Sequence, residues 1–139
     1  MKKTLQILIT TVLLSGCKQQ AQQQNTITAL NGYWEIKKVT LPDNSEKLYN
    51  YNQVIDFFEL RGSTGIRKKV QPKLDGTFIT TKSIENFTLR KENDSLRIYY
   101  KTTLTSWKET IITIDTTQLI LKNNQGIIYQ YKPYKKLAL

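Results

Sequence analysis

The sequence predicts an all-β fold, a single small antiparallel up-and-down barrel of about eight strands. Three observations carry this prediction. Helical periodicity is almost absent beyond residue 28. Thr, Ile, Tyr and Leu are frequent and turn residues recur at short intervals, the profile of an antiparallel sandwich or barrel. The runs between turns alternate apolar and polar residues and are joined by short connections. A meander that closes on itself is then the economical arrangement, because closure removes exposed strand edges. No internal repeat is visible.

The elements follow in order. A strand is expected from Tyr33 to Leu41, and its alternation slips at Lys37-Lys38, which predicts a β-bulge. Pro42-Asp43-Asn44 ends it, since proline cannot donate to a ladder and Asp and Asn favour turns. Val54 to Leu60 is a second strand, apolar in part on both faces. A third runs from Gly65 to Val70 and is stopped by Pro72. Asp75-Gly76 signals a turn before a strand from Thr77 to Thr81. Phe87 and Leu89 then alternate with Thr88 and Arg90 up to a turn at Glu92-Asn93-Asp94-Ser95. Leu96, Ile98 and Tyr100 alternate with Arg97, Tyr99 and Lys101. Trp107 to Ile114 is closed by Asp115-Thr116-Thr117. Leu119 and Leu121 lead to Asn123-Asn124-Gln125-Gly126, where the glycine supplies a positive φ. Ile128 to Tyr131 form the last strand.

The N-terminus has a different logic. Met1-Lys2-Lys3 precedes a short apolar run from Thr4 to Leu14, and Leu13-Leu14-Ser15-Gly16-Cys17 follows. A basic start, a short apolar stretch and small residues form a secretory signal pattern. The run falls short of the roughly 20 residues that a spanning helix needs. Cys17 is the only cysteine in the chain, and it stands where acylation needs a nucleophilic thiol. The segment resembles the lipobox of bacterial lipoprotein signal peptides. That resemblance implies cleavage of residues 1–16, a lipid such as palmitate on Cys17, and a mature chain anchored to a membrane of the cell envelope. Lys18 is not the aspartate that retains some lipoproteins at the inner membrane, so the outer membrane, facing the periplasm, is expected. Residues 17–28 read as the lipidated cysteine and a Gln-rich flexible tether with a reach of roughly 15–20 Å. Residues 29–134 are expected to form the barrel and 135–139 a short tail. One cysteine allows no internal disulfide, so the core alone must stabilise the fold.

The chain of 139 residues carries a net charge of +10, and loss of residues 1–16 removes Lys2 and Lys3 and leaves +8. Such a surface suits anionic lipid headgroups or acidic ligands; an envelope location argues against nucleic acid. Arg61, Arg67, Lys68, Lys69 and Lys73 form a basic stretch without an intervening acid. A solvated strand edge, kept from aggregating by lysines, is its ordinary explanation.

Catalytic chemistry is thinly represented. With no histidine, the chain lacks the commonest general base and metal ligand. It contains no phosphate-cradling glycine loop and no nucleophile elbow. No enzyme activity, metal or cofactor is expected. The candidate ligand-binding residues are Arg67, Tyr99, Trp107, Glu109 and Tyr129. Glu109 shares a strand face with Trp107 and Ile111. If that face is interior, Glu109 is a buried carboxylate in need of a partner, Arg67 or Arg97. The exterior alternative is favoured, because Ile112 and Ile114 claim the opposite face for burial. Tyr99, Tyr100, Tyr129 and Tyr131 can line a pocket or simply pack in the core and rim.

Gly32-Tyr33-Trp34 is similar to the Gly-x-Trp signature at the first strand of lipocalins. The later meander, ending in Gly126-Ile127-Ile128-Tyr129-Gln130-Tyr131-Lys132, resembles the tail of bacterial lipocalin-like lipoproteins. The likeness covers most of residues 29–133. In lipocalins the tryptophan plugs the closed barrel end and a basic residue of the last strand packs over it. The resemblance therefore implies a plug of Gly32, Trp34 and Lys132. The chain lacks the C-terminal helix of animal lipocalins, so the shorter bacterial type is the comparison. It implies a lipid-anchored protein that binds a small apolar or amphipathic ligand. The alternative is an envelope module that binds another protein and has a filled barrel. Interior volume separates the two, because a barrel packed by side chains holds no ligand.

Overall fold

Nine strands form one antiparallel sheet in the computed structural model, which describes residues 26–136. The expected signal segment, Cys17, most of the expected tether and residues 137–139 lie outside the described residues. The strands are β1 (Gly32–Thr40), β2 (Glu46–Leu48), β3 (Ile55–Arg61), β4 (Thr64–Pro72), β5 (Phe78–Glu92), β6 (Ser95–Lys101), β7 (Ser106–Ile114), β8 (Leu119–Asn123) and β9 (Ile128–Pro133). β1 and β3 to β9 follow one another around the sheet, and β9 returns to β1 from Trp34↔Pro133 to Thr40↔Ile128. The fold is thus the expected closed eight-stranded barrel. The short β2 is an addition. It pairs with Lys38 to Thr40 on the edge that β3 leaves free.

Local chemistry explains the turns. Asn93 and Asp94 have φ of 48° and 62°, and Glu92 pairs with Ser95 across them, as a two-residue hairpin with matching twist requires. Asp43, Asp75 and Asp115 each accept the backbone N–H two residues on and the hydroxyl of Ser45, Thr77 and Thr117. Those hydroxyl bonds are the main reason all three carboxyls titrate below the usual aspartate range. Asn123 does the same for the N–H groups of Gln125 and Ile127.

The bulge expected at Lys37-Lys38 is present as a register shift between Ile36 and Lys38. Three details differ from the sequence expectation. Residues 77–81 and the run through Phe87 and Leu89 belong to one 15-residue strand, β5. Its interruption is a bulge, since Lys68 faces Ile84 and Val70 faces Thr80. Pro72 is the last residue of β4 and still faces Phe78. The tether stops short of Thr28, because residues 26–28 form a helical turn whose carbonyls accept from Ala29, Leu30 and Asn31. The reason is apolar spacing: Ile27 packs against the core and Leu30 is part of it.

Antiparallel connectivity gives the barrel two ends. The turn at residues 26–31 and the β3–β4, β5–β6 and β7–β8 turns share one end with Trp34. The opposite end, the mouth, carries the loops joining β1 to β3, β6 to β7 and β8 to β9. The core fills the Trp34 end with Leu30, Phe58, Leu89, Ile98, Leu119 and Leu121, all buried. The β4–β5 hairpin folds outward instead. Phe78 stacks on Tyr33 at 4.3 Å, and the Lys136 ammonium lies 5.5 Å from the Phe78 ring centre.

Candidate functional site

Above the apolar floor, the inner wall turns polar. Asp56 on β3, Arg67 and Lys69 on β4, Glu85 on β5 and Glu109 on β7 converge there. Strand pairing dictates this: Asp56 faces Lys69, and Arg67 faces both Phe58 and Glu85. Arg67 is the hub. Its Nε donates to Glu85, and its Nη1 lies 3.3 Å from the Tyr100 hydroxyl and 3.5 Å from Glu109 Oε2. Asp56 Oδ1 is 4.0 Å from Arg67 Nε and 2.6 Å from Lys69 Nζ. Asp56, Arg67 and Glu109 are buried, whereas Lys69 is exposed.

Aromatic rings hold the hub in place. The guanidinium lies 4.4 Å from the Tyr100 ring centre, within range of a cation–π contact. Trp107 stacks on the other side of this tyrosine, at 5.0 Å and 14°. Tyr100 and Trp107 are cross-strand partners on β6 and β7, which sets that stack. Trp107 and Tyr129 are half-buried and pack against the core.

Burial raises the Glu109 pKa above the usual glutamate value, although Arg67 and the Tyr100 hydroxyl pull it down. Burial likewise pushes the Tyr100 and Tyr131 phenols well up and Tyr129 up. Around Arg67 burial opposes the charge. The oxygens of Tyr100, Glu85, Asp56 and Glu109 outweigh it and raise the guanidinium pKa further. The network is therefore held together by charge and hydrogen bonding. Among the described residues no group of acids is arranged to hold a metal.

Of the five candidate residues, the structure brings Arg67, Trp107 and Glu109 together and places Tyr129 on the same inner face. The exterior alternative for Glu109 is overturned. A bulge between Ile111 and Thr113 resets the alternation of β7. Glu109 and Ile111 are consequently buried, Ile112 faces solvent, and Ile114 still reaches the core. Arg97 is not the partner of Glu109; it pairs with Glu92 at 3.4 Å. Tyr99 is a correction too. It alternates with buried Tyr100 and faces outward, where its hydroxyl donates to Glu92 at 2.5 Å and Arg90 lies over its ring.

The plug also differs in part. Trp34 is 3% exposed and its indole N–H donates to the Leu30 carbonyl at 3.0 Å. Gly32 has φ +121° with open space where a Cβ would stand, so backbone conformation, and not crowding, calls for glycine. Lys132 does not cover the indole. It faces Glu35 on the outer wall and pairs with it at 3.1 Å, while the residue opposite Trp34 on β9 is Pro133.

Sequence reasoning missed Asp56, Lys69 and Glu85 as members of the network. Asp56 carries a usable signal, an acid inside the otherwise apolar start of β3. Depressions of about 470 and 680 Å³ occur on the outer wall. The first is lined chiefly by outward residues such as Ile66, Thr88 and Tyr99, the second by Lys82, Ile84 and Leu104.

The lipocalin-like domain family matches residues 30–121. Among solved structures, a lipocalin-like protein from Bacteroides uniformis is 9% identical, aligns over 76% of this chain and 99% of its own, and has a TM-score of 0.48. An uncharacterized protein from Bacteroides eggerthii gives the same figures. Lobster apocrustacyanin A1 is 17% identical over 85% of this chain and 68% of its own, with a TM-score of 0.46. No curated protein matches the chain.

Proposed function

The chain belongs to the lipocalin-like domain family, and from that premise we propose a lipid-anchored, non-catalytic envelope protein that holds a small amphipathic molecule in its barrel. The observation that carries this reading is the charged network around Arg67. Apolar residues of similar volume would hold such a wall together as well or better. Five ionisable groups facing the barrel interior therefore favour recognition of a polar group. Arg67 and Glu109 meet the ligand's polar end, and the half-buried rings of Trp107 and Tyr129 meet its apolar part. In the same reading, residues 1–16 are removed, Cys17 carries the lipid, and the barrel stands at the periplasmic face of the outer membrane. Among the described residues no helix is long and apolar enough to cross a membrane.

A second reading is favoured by one observation. Tyr100 is 1% exposed in mid-barrel, held between Arg67 and Trp107. A barrel filled in this way suits a module that binds another envelope protein. Titration of the chain from Lys18 onward with an apolar fluorescent probe separates the two. Ligand binding predicts a saturable change in tryptophan emission that Trp107→Phe removes and that depends on salt through Arg67 and Glu109. An absence of saturable binding sinks the ligand reading and leaves the interaction module.

A further inference from the structure

We propose that the mouth of the barrel docks on an anionic phospholipid bilayer. This goes beyond the ligand and anchor readings and is tested without the lipid. The first observation is where apolar side chains are left in solvent. Leu48 is 67% exposed, Tyr51 81% and Leu104 93%. Leu48, which faces Lys38 from β2, and Tyr51 lie on the connection from β1 to β3, and Leu104 tips the β6–β7 turn, so all three belong to connections at the mouth end. Two of the mouth turns are neighbours in space: the Cβ position at Gly126 in the β8–β9 turn lies 3.7 Å from Pro42 in the β1–β2 turn. Lone apolar residues on a surface need no explanation; several at one end mark an interaction site.

The second observation is charge. Lys47, Lys82, Lys101 and Lys122 are exposed around this end. The acids there are Asp43, which caps its own turn, and Glu46, which is paired with Lys38. Lys82, Lys101, Ile84 and Leu104 surround the outer-wall hollow of about 680 Å³, on the flank of this end. Surface acids such as Glu59, Glu92, Asp94 and Asp115 lie toward the Trp34 end, where Arg61 and Arg97 answer the first two. A ring of lysines around exposed leucines complements a negative headgroup layer over hydrocarbon.

The chain beyond the barrel permits this orientation. The nine Cα–Cα steps from Cys17 to Thr26 span at most about 30 Å when fully extended. A nine-residue strand, tilted as barrel strands are, rises roughly 20–25 Å. Only when this segment is drawn out toward that limit, beyond its typical coil reach, does a lipid on Cys17 reach the bilayer from the far end, where the chain enters the barrel. In that pose the mouth receives an amphipathic molecule directly from the membrane.

The test uses the chain from Lys18 onward, since every strand and the closure of the barrel lie within residues 26–136. Its sedimentation is measured with vesicles of phosphatidylglycerol in phosphatidylcholine and of phosphatidylcholine alone. Binding is expected to the anionic vesicles, weakening as salt rises. Each Lys82→Gln or Lys101→Gln is expected to weaken it about fivefold, and Leu104→Asp about tenfold or more. Arg61→Gln, at the far end, is expected to bind like the parent. In a Leu104→Trp variant, brominated lipid should quench emission more than in the parent. Equal binding to both vesicle types, no binding to either, or equal losses from Arg61→Gln and the mouth variants overturns the proposal. No binding to either would mean that another partner, such as an acidic protein, covers this face.

Discussion

At the scale of single residues, Arg67 decides how the barrel interior is held. It pairs with the buried carboxylates of Asp56 and Glu109 as well as Glu85, and its side chain is 9% exposed. Removing one partner of a buried ionic set leaves charge unpaired and typically costs about 3–5 kcal/mol. Arg67→Met is therefore expected to lose that much in urea unfolding, with part recovered when Glu109→Gln is added. If the double variant is no more stable than Arg67→Met, the two side chains are not coupled. Glu109 also makes stability depend on pH. Its folded-state pKa is raised by burial, so folding favours the protonated acid. Stability from this site is fully present below the unfolded glutamate pKa, about 4.3, and declines as pH rises through the folded value. The parent is thus expected to weaken relative to Glu109→Gln between mildly acidic and neutral pH. Unfolding curves with a constant difference across that range contradict the raised pKa.

At the scale of elements, bulges and one glycine shape the wall. The bulges at Lys37 and Ile112 reset which face each later side chain takes, and the one opposite Lys69 interrupts β5 without changing its alternation. Gly65 lets β3, β4 and β5 approach closely. A Cβ there would collide with the Glu59 carbonyl and the Phe87 ring. Phe87 is buried and packs edge-on against Tyr100 at 5.9 Å, so it has little freedom to yield. Gly65→Ala is expected to destabilise the barrel by about 1–3 kcal/mol, as overpacking does. It should also perturb the Tyr100–Trp107 stack, visible as a shift in Trp107 emission. A variant as stable as the parent with unchanged emission would mean that Phe87 has another place to go.

At the scale of the molecule, the barrel presents a polar inner wall and an apolar-tipped mouth on a chain expected to carry a lipid. The anchor stands apart from the fold, so its test stands apart as well. With Cys17→Ser the full chain should fail to be acylated and accumulate as an uncleaved precursor. Detergent-phase partitioning of the parent, with analysis of its N-terminus, checks this. A mature parent that stays in the aqueous phase with an unmodified N-terminus removes the anchor. Cell fractionation then tells outer from inner membrane.

The strand order, the turn positions and the bulge at Lys37-Lys38 were legible in the sequence. They depend on local chemistry: period-two alternation, Asp and Asn that hydrogen-bond to their own backbone, and glycine at positive φ. Arg67, Glu109 and Trp107 could be named from their residue types alone. Which way they point could not. A bulge costs one residue and reverses every later side chain, so Glu109 looked outward until the register of β7 against β8 was known. Tyr99 and Lys132 went the other way, since alternation says that two faces exist and not which one is closed over. Asp56, Lys69 and Glu85 join the network only through pairing between strands. Burial and charge pairing are set by what lies across the barrel, and that is decided when β9 closes on β1.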